Sequence, residues 1–187
     1  MNDFFLLNNE SLPHVFIDQN IEIKQIQVKN LNQFAYFAEP IKQLESYSIE
    51  TIKPIILTNI IQIMGLCSLV TSLDPETFSK HIGNQDAIAD LILKIIQVNE
   101  AYFKQEKPKK QQRENQKKYS WFDSFQRLIS DGHRQDDILN MSYGAFTGYL
   151  KAAQRCESQR LKTIAIATRA ASAKNNDFDK FVSSLDG

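Results

Sequence analysis

The fold of this chain is decided by residues 121–173, which read WFDSFQRLISDGHRQDDILNMSYGAFTGYLKAAQRCESQRLKTIAIATRAASA. Ser120 can cap a first helix, with Asp123 at the third helical position, so that free N–H groups of the first turn find acceptors. Apolar side chains then recur at helical spacing through residues 121–129. Gly132 predicts a left-handed end to this helix. The stretch therefore opens with one capped amphipathic helix.

Two further helices are predicted in the same stretch. A short amphipathic segment covers residues 136–139, and Ser142 is placed to cap a long helix after it. The long helix carries an apolar stripe and a basic side. The stripe consists of Phe146, Tyr149, Leu150, Ala153, Leu161, Ile164, Ala167 and Ala171, and the basic side consists of Lys151, Arg155, Arg160 and Lys162. We expect residues 120–187 to form a helical C-terminal module.

The order of signals in this module resembles that of the tail assembly chaperones of tailed phages, and more narrowly the C-terminal part of the lambda-type long chaperone. The residues that carry the likeness are Trp121, Gln126, Arg127, Leu128, Gly132, His133, Ile138, Phe146, Tyr149, Leu150, Ala153, Arg155, Arg160, Arg169, Ala170 and Ala171. The resemblance implies a phage or prophage protein, not an enzyme, that works in the cytoplasm of the bacterial host cell. It also implies that the protein binds the tape measure protein, keeps it soluble and helps to recruit tail tube subunits.

The N-terminal half is predicted to form an α+β domain over residues 1–103. Residues 14–17 and 21–26 flank a turn-forming segment, and the second run alternates apolar and charged side chains, which predicts a β-hairpin. A helix is expected from Leu31 up to Pro40, because the residue before a proline is pushed out of helical geometry. A strongly apolar helix is expected over residues 52–64, and Asp74 and Asp86 are placed to cap two more helices.

Residues 104–119 change character and predict a basic polar linker between the two halves. Residues 104–118 hold seven Lys or Arg against two Glu and no aliphatic side chain. The predicted fold class is therefore mainly α, with a small N-terminal β-hairpin followed by helices and then a helical C-terminal module, α+β overall.

Composition and charge limit the function further. The formal net charge is zero, but residues 1–100 hold 6 Lys or Arg against 12 Asp or Glu, whereas residues 101–187 hold 16 against 10. This polarity favours head-to-tail self-association or an acidic partner facing the basic half. The sequence contains no run of about 18 apolar residues, so no membrane span is predicted. The sequence shows no His, Cys, Asp or Glu residues at the spacing of metal ligands, no nucleophile beside a base and no glycine-rich phosphate loop. We therefore predict no catalytic residue, no metal site and no cofactor.

Two sets of residues are the candidate contacts to partners. An exposed apolar groove is expected from Phe34, Phe37, Ile56, Ile60 and Ile63, with further partner contacts from Trp121, Phe125, Phe146, Tyr149 and Leu150. Contacts to phosphate or to an acidic partner are expected from Lys109, Lys110, Arg113, Lys117, Lys118, Arg155 and Arg160. The alternative function is a small phage regulator that binds DNA, or a host protein, through its basic helical C-terminal half.

Overall fold

The structure is a computed structural model that describes residues 2–104, 120–172 and 175–183. Most of these residues are helical, and the strands form a hairpin near the N-terminus. In chain order the elements are α1 Asp3–Leu7, β1 Leu12–Phe16, β2 Gln19–Ile23, the short 3-10 helix Val28–Asn30, α2 Leu31–Lys42, α3 Ile49–Ile56, α4 Ile60–Val70, α5 Pro75–Lys80, α6 Gln85–Val98, α7 Glu100–Phe103, α8 Trp121–Ser130, α9 Gln135–Asn140, α10 Tyr143–Ala171 and α11 Asn175–Ser183. The predicted fold class is confirmed.

The predicted hairpin is confirmed, although its turn lies earlier than expected. β1 and β2 are antiparallel, and Phe16 pairs with Gln19 across a two-residue turn. Ile21 and Ile23 are buried while Glu22 between them is exposed, as alternation along a half-buried strand requires. The turn places Ile17 at a φ of 58°, which a β-branched residue rarely adopts.

The expected end of α2 at Pro40 is wrong, because the helix continues to Lys42. Proline lacks an N–H donor and therefore costs the helix one i to i−4 hydrogen bond, which the packing of the following turn offsets. The chain closes beyond it with a hydrogen bond from the Gln43 N–H to the Glu39 carbonyl at 3.2 Å. Ile41, in the turn after the proline, is fully buried and holds that turn in place.

The single apolar helix expected over residues 52–64 is also wrong. The chain forms α3 and α4 there, bent by 115° at a short break. At this break the Thr58 Oγ1 and the Asn59 Nδ2 both donate to the Ile55 carbonyl, at 3.1 and 3.0 Å. Such local side-chain hydrogen bonds compete with the helix ladder, which is why Thr and Asn interrupt an otherwise apolar run.

Of the two helix N-caps predicted for this part of the chain, one is confirmed and one is wrong. Asp74 caps α5 as predicted, because its Oδ1 accepts from the Thr77 N–H at 2.8 Å. The expected cap at Asp86 is wrong. Asn84 takes that position and accepts from the Ala87 N–H at 3.2 Å, while Asp86 lies in the first turn of α6.

The core is built around α6, which packs on α3 and on the hairpin. Ile88, Leu91, Ile92 and Ile95 on this helix are fully buried. The other buried residues of the cluster come from α6 itself, from both strands, from α2 to α5 and α7, and from the connecting segments. They are Phe16, Ile21, Ile23, Ile26, Phe34, Ala38, Ile41, Ile52, Ile56, Ile63, Leu66, Cys67, Val70, Leu73, Phe78, Ala89, Ile96, Val98 and Phe103.

The helices α8 and α9 and the start of α10 belong to the same compact unit as this core. The Val28 N–H donates to the Met141 carbonyl at 3.0 Å, and the Tyr143 N–H donates to the Ile26 carbonyl at 2.8 Å. The Ser142 Oγ reaches the Leu6 carbonyl at 3.0 Å and also accepts from the Ala145 N–H, so the predicted Ser142 cap is confirmed. The sequence-distant segments therefore join through backbone hydrogen bonds.

Contacts divide the chain into two units, one of residues 1–148 and one of residues 149–187. The second unit holds the rest of α10 and α11. The linker predicted at residues 104–119 lies outside the described residues except for Lys104 and for its boundary at Ser120, so the predicted domain division into residues 1–103, 104–119 and 120–187 stays a prediction. Within the described residues, no single helix is both long and apolar enough to cross a membrane, and only the bent pair α3 and α4 satisfies length and composition together.

Candidate partner-binding surface

An apolar groove lies on the first unit between α2 and the α3–α4 break. We call it the α2 groove. It has a volume of about 780 Å³, and its lining consists of Ala35, Tyr36, Glu39, Pro40, Gln43, Leu44, Ile55, Asn59 and Gln62. The larger part of the lining surface is apolar, and the polar side chains of the lining are those of Glu39, Gln43, Asn59 and Gln62.

Beside the groove, the Phe37 ring of α2 lies directly on Gly65 of α4. A Cβ placed on Gly65 would lie 2.5 Å from the Cε1 of Phe37, so that only glycine permits this approach. The Phe37 ring also meets the Tyr36 ring edge-on, with centroids 5.4 Å apart. The ring of Phe37 thus holds α2 against α4, and Tyr36 is left on the outer side of the helix.

Three large apolar side chains are exposed on the segments that form the groove. Tyr36 is 67% exposed, Leu57 is 55% exposed and Ile61 is 70% exposed. Tyr36 lines the groove itself, whereas Leu57 and Ile61 stand on the α3–α4 segment that supplies Ile55 and Gln62. Neighbouring exposed apolar groups of this kind mark interaction surfaces more often than scattered single residues do.

The polar groups of the groove leave one carboxylate at its edge. The Gln43 Nε2 donates to the Glu39 Oε1 at 3.0 Å, and because this donor is a neutral amide the negative charge of the carboxylate is not compensated. Lys42, on the same helix, instead lies over the Tyr102 ring, 4.1 Å from its centroid. The groove therefore suits an apolar segment that carries a basic side chain near Glu39.

The groove residues predicted from the sequence lie mostly beneath this surface. Phe34, Ile56 and Ile63 are fully buried in the core, so they are not available to a partner in this structure. Phe37 and Ile60 are half-buried. The exposed residues can be recognised in the sequence as large apolar side chains that do not share the helix face of the buried ones. Tyr36 is an example, because it lies about 200° around α2 from the buried Phe34.

An aromatic cluster on α8 and α10 forms a second exposed area. The Trp121 and Phe146 rings stack with centroids 5.6 Å apart, and Phe125 lies 5.8 Å from Phe146. Phe146 is buried and Phe125 is half-buried, but Trp121 is 52% exposed. Phe122, which the sequence reasoning missed as a contact, is 86% exposed. The predicted residues Tyr149 and Leu150 lie in the second unit, where both are half-buried.

The predicted basic contacts fall in two parts of the chain. Lys109, Lys110, Arg113, Lys117 and Lys118 lie outside the described residues. Arg155 and Arg160 are exposed on α10.

Groups with catalytic chemistry are not gathered within the described residues. No three His, Cys, Asp or Glu side chains lie close enough there to hold a metal ion. His14 faces Asp90 at 3.6 Å, an isolated pair. Burial raises the pKa of the Cys67 thiol to about 12, which keeps it protonated and a poor nucleophile.

Comparisons of this chain with protein-family models, with curated proteins and with solved structures find no match. The resemblance to tail assembly chaperones therefore rests on the residues of the C-terminal module named above.

Proposed function

We propose that this protein is a chaperone that holds an apolar helical segment of a partner in the α2 groove, and that the partner is the tape measure protein of a phage or prophage tail. The groove supports the first part, because it combines an apolar lining with exposed Tyr36, Leu57 and Ile61. The sequence resemblance supports the second part. A tape measure protein is long and helical, and its apolar stripes need cover before assembly.

The size of the surface suits weak, reversible binding. Amphipathic helices dock in such grooves through side chains spaced three, four and seven residues apart. Covering each of the three exposed side chains contributes roughly 1–2 kcal/mol, from about 25 cal/mol per Å² of apolar area. A chaperone must release its client on assembly, so a sum of a few kcal/mol per groove fits repeated binding along a long client better than one tight site.

The aromatic cluster at Trp121 and Phe122 supplies the second contact that this function needs. Exposed aromatic side chains above a rigid cluster are typical anchors in protein interfaces. We propose that this area faces the tail tube subunit while the α2 groove holds the tape measure protein.

Co-expression with the tape measure protein of the same genome tests the proposal. We expect the client to remain soluble with the wild-type chain and to aggregate with the Tyr36→Asp/Ile61→Asp variant, because two charges in or beside the groove oppose apolar docking. Phe4→Asp/Val15→Asp is the matched control, since both are similarly exposed apolar residues and lie on α1 and β1, which do not line the groove.

Circular dichroism and urea unfolding must first show that both variants fold like the wild type. A client that stays equally soluble with the groove variant and with the control, or that aggregates with the wild-type chain, contradicts the proposal.

A further inference from the structure

Four basic side chains on α10 form a straight row, which we call the basic stripe. Lys151, Arg155, Lys162 and Arg169 follow one another at intervals of four, seven and seven residues. At about 100° per residue they fall within roughly 40° of one another around the helix axis. From Lys151 to Arg169 the row is about 27 Å long, at 1.5 Å per residue.

The stripe is exposed and its charge is not neutralised locally. All four side chains are exposed, and none takes part in an ion pair among residues 2–104, 120–172 and 175–183. Glu157 is the acidic residue of this part of α10, and it lies about 140° around the axis from Lys162. Ser158 shares the face of the stripe and Gln154 and Gln159 flank it, so uncharged hydrogen-bonding groups accompany the cations.

The composition of the stripe decides which kind of anionic partner it fits. Stable protein interfaces have a core depleted of charged residues, and this face offers little apolar surface besides Ile166 at its border. A membrane-surface helix buries a continuous apolar face. Away from the stripe, α10 carries the exposed apolar side chains of Leu161 and Ile164, but Glu157 and Arg160 interrupt that face. A phosphate backbone, by contrast, binds through charge alone and needs no apolar core.

We infer that the basic stripe binds the phosphate backbone of a nucleic acid without reading its sequence. The inference does not depend on the proposed chaperone function, because it concerns a different surface and a different class of partner. Of the two α10 arginines predicted as phosphate contacts, it assigns Arg155 to the stripe and leaves out Arg160, which lies on the other side of the helix.

The salt dependence of the binding affinity can be predicted from the number of phosphate contacts. Each phosphate contact contributes about 0.9 to the slope of log affinity against log salt on duplex DNA. Two to four contacts predict a slope between about −2 and −4. The same relation predicts a loss of about tenfold in affinity for each contact removed at 50 mM salt.

Fluorescence anisotropy with a labelled 20-base-pair duplex of arbitrary sequence tests the inference on the full-length chain. The stripe variant carries Lys151→Gln, Arg155→Gln, Lys162→Gln and Arg169→Gln, and glutamine keeps good helix propensity. The control variant carries Lys24→Gln, Lys104→Gln, Arg134→Gln and Lys180→Gln, which removes the same charge at exposed positions elsewhere.

We expect the wild type and the control to bind with similar affinity and slope. The stripe variant should bind at least about 100-fold more weakly with a shallower slope, because it loses two or more contacts at about tenfold each. Wild-type chain that does not bind at 50 mM salt, or equal loss in both variants, overturns the inference. Tighter binding to vesicles containing phosphatidylserine, or to polyglutamate, than to the duplex overturns the assignment to nucleic acid.

Discussion

The contact between the Phe37 ring on α2 and Gly65 on α4 predicts how Gly65→Ala changes the stability of the protein. Helix propensity alone favours alanine over glycine inside a helix by about 1 kcal/mol. The added Cβ, however, would stand 2.5–2.7 Å from three atoms of the Phe37 ring. Ordinary contact requires the ring to move by roughly 1 Å, and overpacking of this kind costs about 1–3 kcal/mol. We therefore expect Gly65→Ala to lower the free energy of unfolding by up to about 2 kcal/mol.

The contribution of Phe37 can be separated by a double-mutant cycle. In a Phe37→Leu background the clash is relieved, so Gly65→Ala should stabilise by about 1 kcal/mol, and the coupling between the two positions should be about 1–3 kcal/mol. Gly148→Ala is the matched control, because Gly148 lies within α10 and a Cβ there meets no atom within 4 Å. Urea unfolding followed by circular dichroism measures all four variants. If Gly65→Ala stabilises as much as Gly148→Ala in the presence of Phe37, the close packing of α2 on α4 is refuted.

Three further predictions concern single polar or thiol groups. Asn99→Ala should lower the free energy of unfolding by about 2–3 kcal/mol, because the buried Asn99 side chain accepts a hydrogen bond from the Ile26 N–H at 2.7 Å. The control Asn140→Ala removes an exposed amide and should lower it by less than about 1 kcal/mol. Urea unfolding measures both variants. Hydrogen bonds from the Ser120 N–H and hydroxyl hold the pKa of the Asp123 carboxyl below its usual value in the folded protein. The ionised carboxylate therefore stabilises the fold fully above the unfolded pKa of about 4, and this stabilisation is lost as the pH falls through the lower pKa of the folded state. The difference in unfolding free energy between the wild type and Asp123→Ala should therefore shrink below pH 4, and a difference that grows there would refute the cap. A thiol reagent such as dithiobis(nitrobenzoate) should label exposed Cys156 at once and buried Cys67 only in denaturant; rapid labelling of both in the native protein contradicts the burial.

Local signals in the sequence were sufficient for most of the C-terminal helices. Ser120 and Asp123 form the predicted capping box, and Gly132 adopts the predicted left-handed conformation with a φ of 99°. Each of these features depends on atoms within a few residues, so a single sequence carries the information. The alternation that predicts the hairpin is local too, although the turn lies at Ile17 and Asp18, earlier than the sequence indicated.

The candidate site was less predictable, because exposure depends on which helix face meets the rest of the core. The sequence identified α2, α3 and α4 as apolar but selected Phe34, Ile56 and Ile63, which the core buries. Tyr36 and Ile61 are equally apolar, and only the packing of α2 on α4 and the break at Thr58 and Asn59 leave them outside. Periodicity gives the period of an apolar stripe but not the element that covers it.

The sequence by itself determined the helical class, the hairpin, the main caps and the concentration of positive charge in the second half, because each depends on neighbouring residues or on composition. Only the tertiary structure decided that residues 120–148 join the N-terminal core, through backbone hydrogen bonds such as Tyr143 to Ile26. It alone also decided that the Phe37 ring of α2 packs on Gly65 of α4. These features arise from contacts between residues far apart in the chain, and such contacts leave no periodic signal in a single sequence.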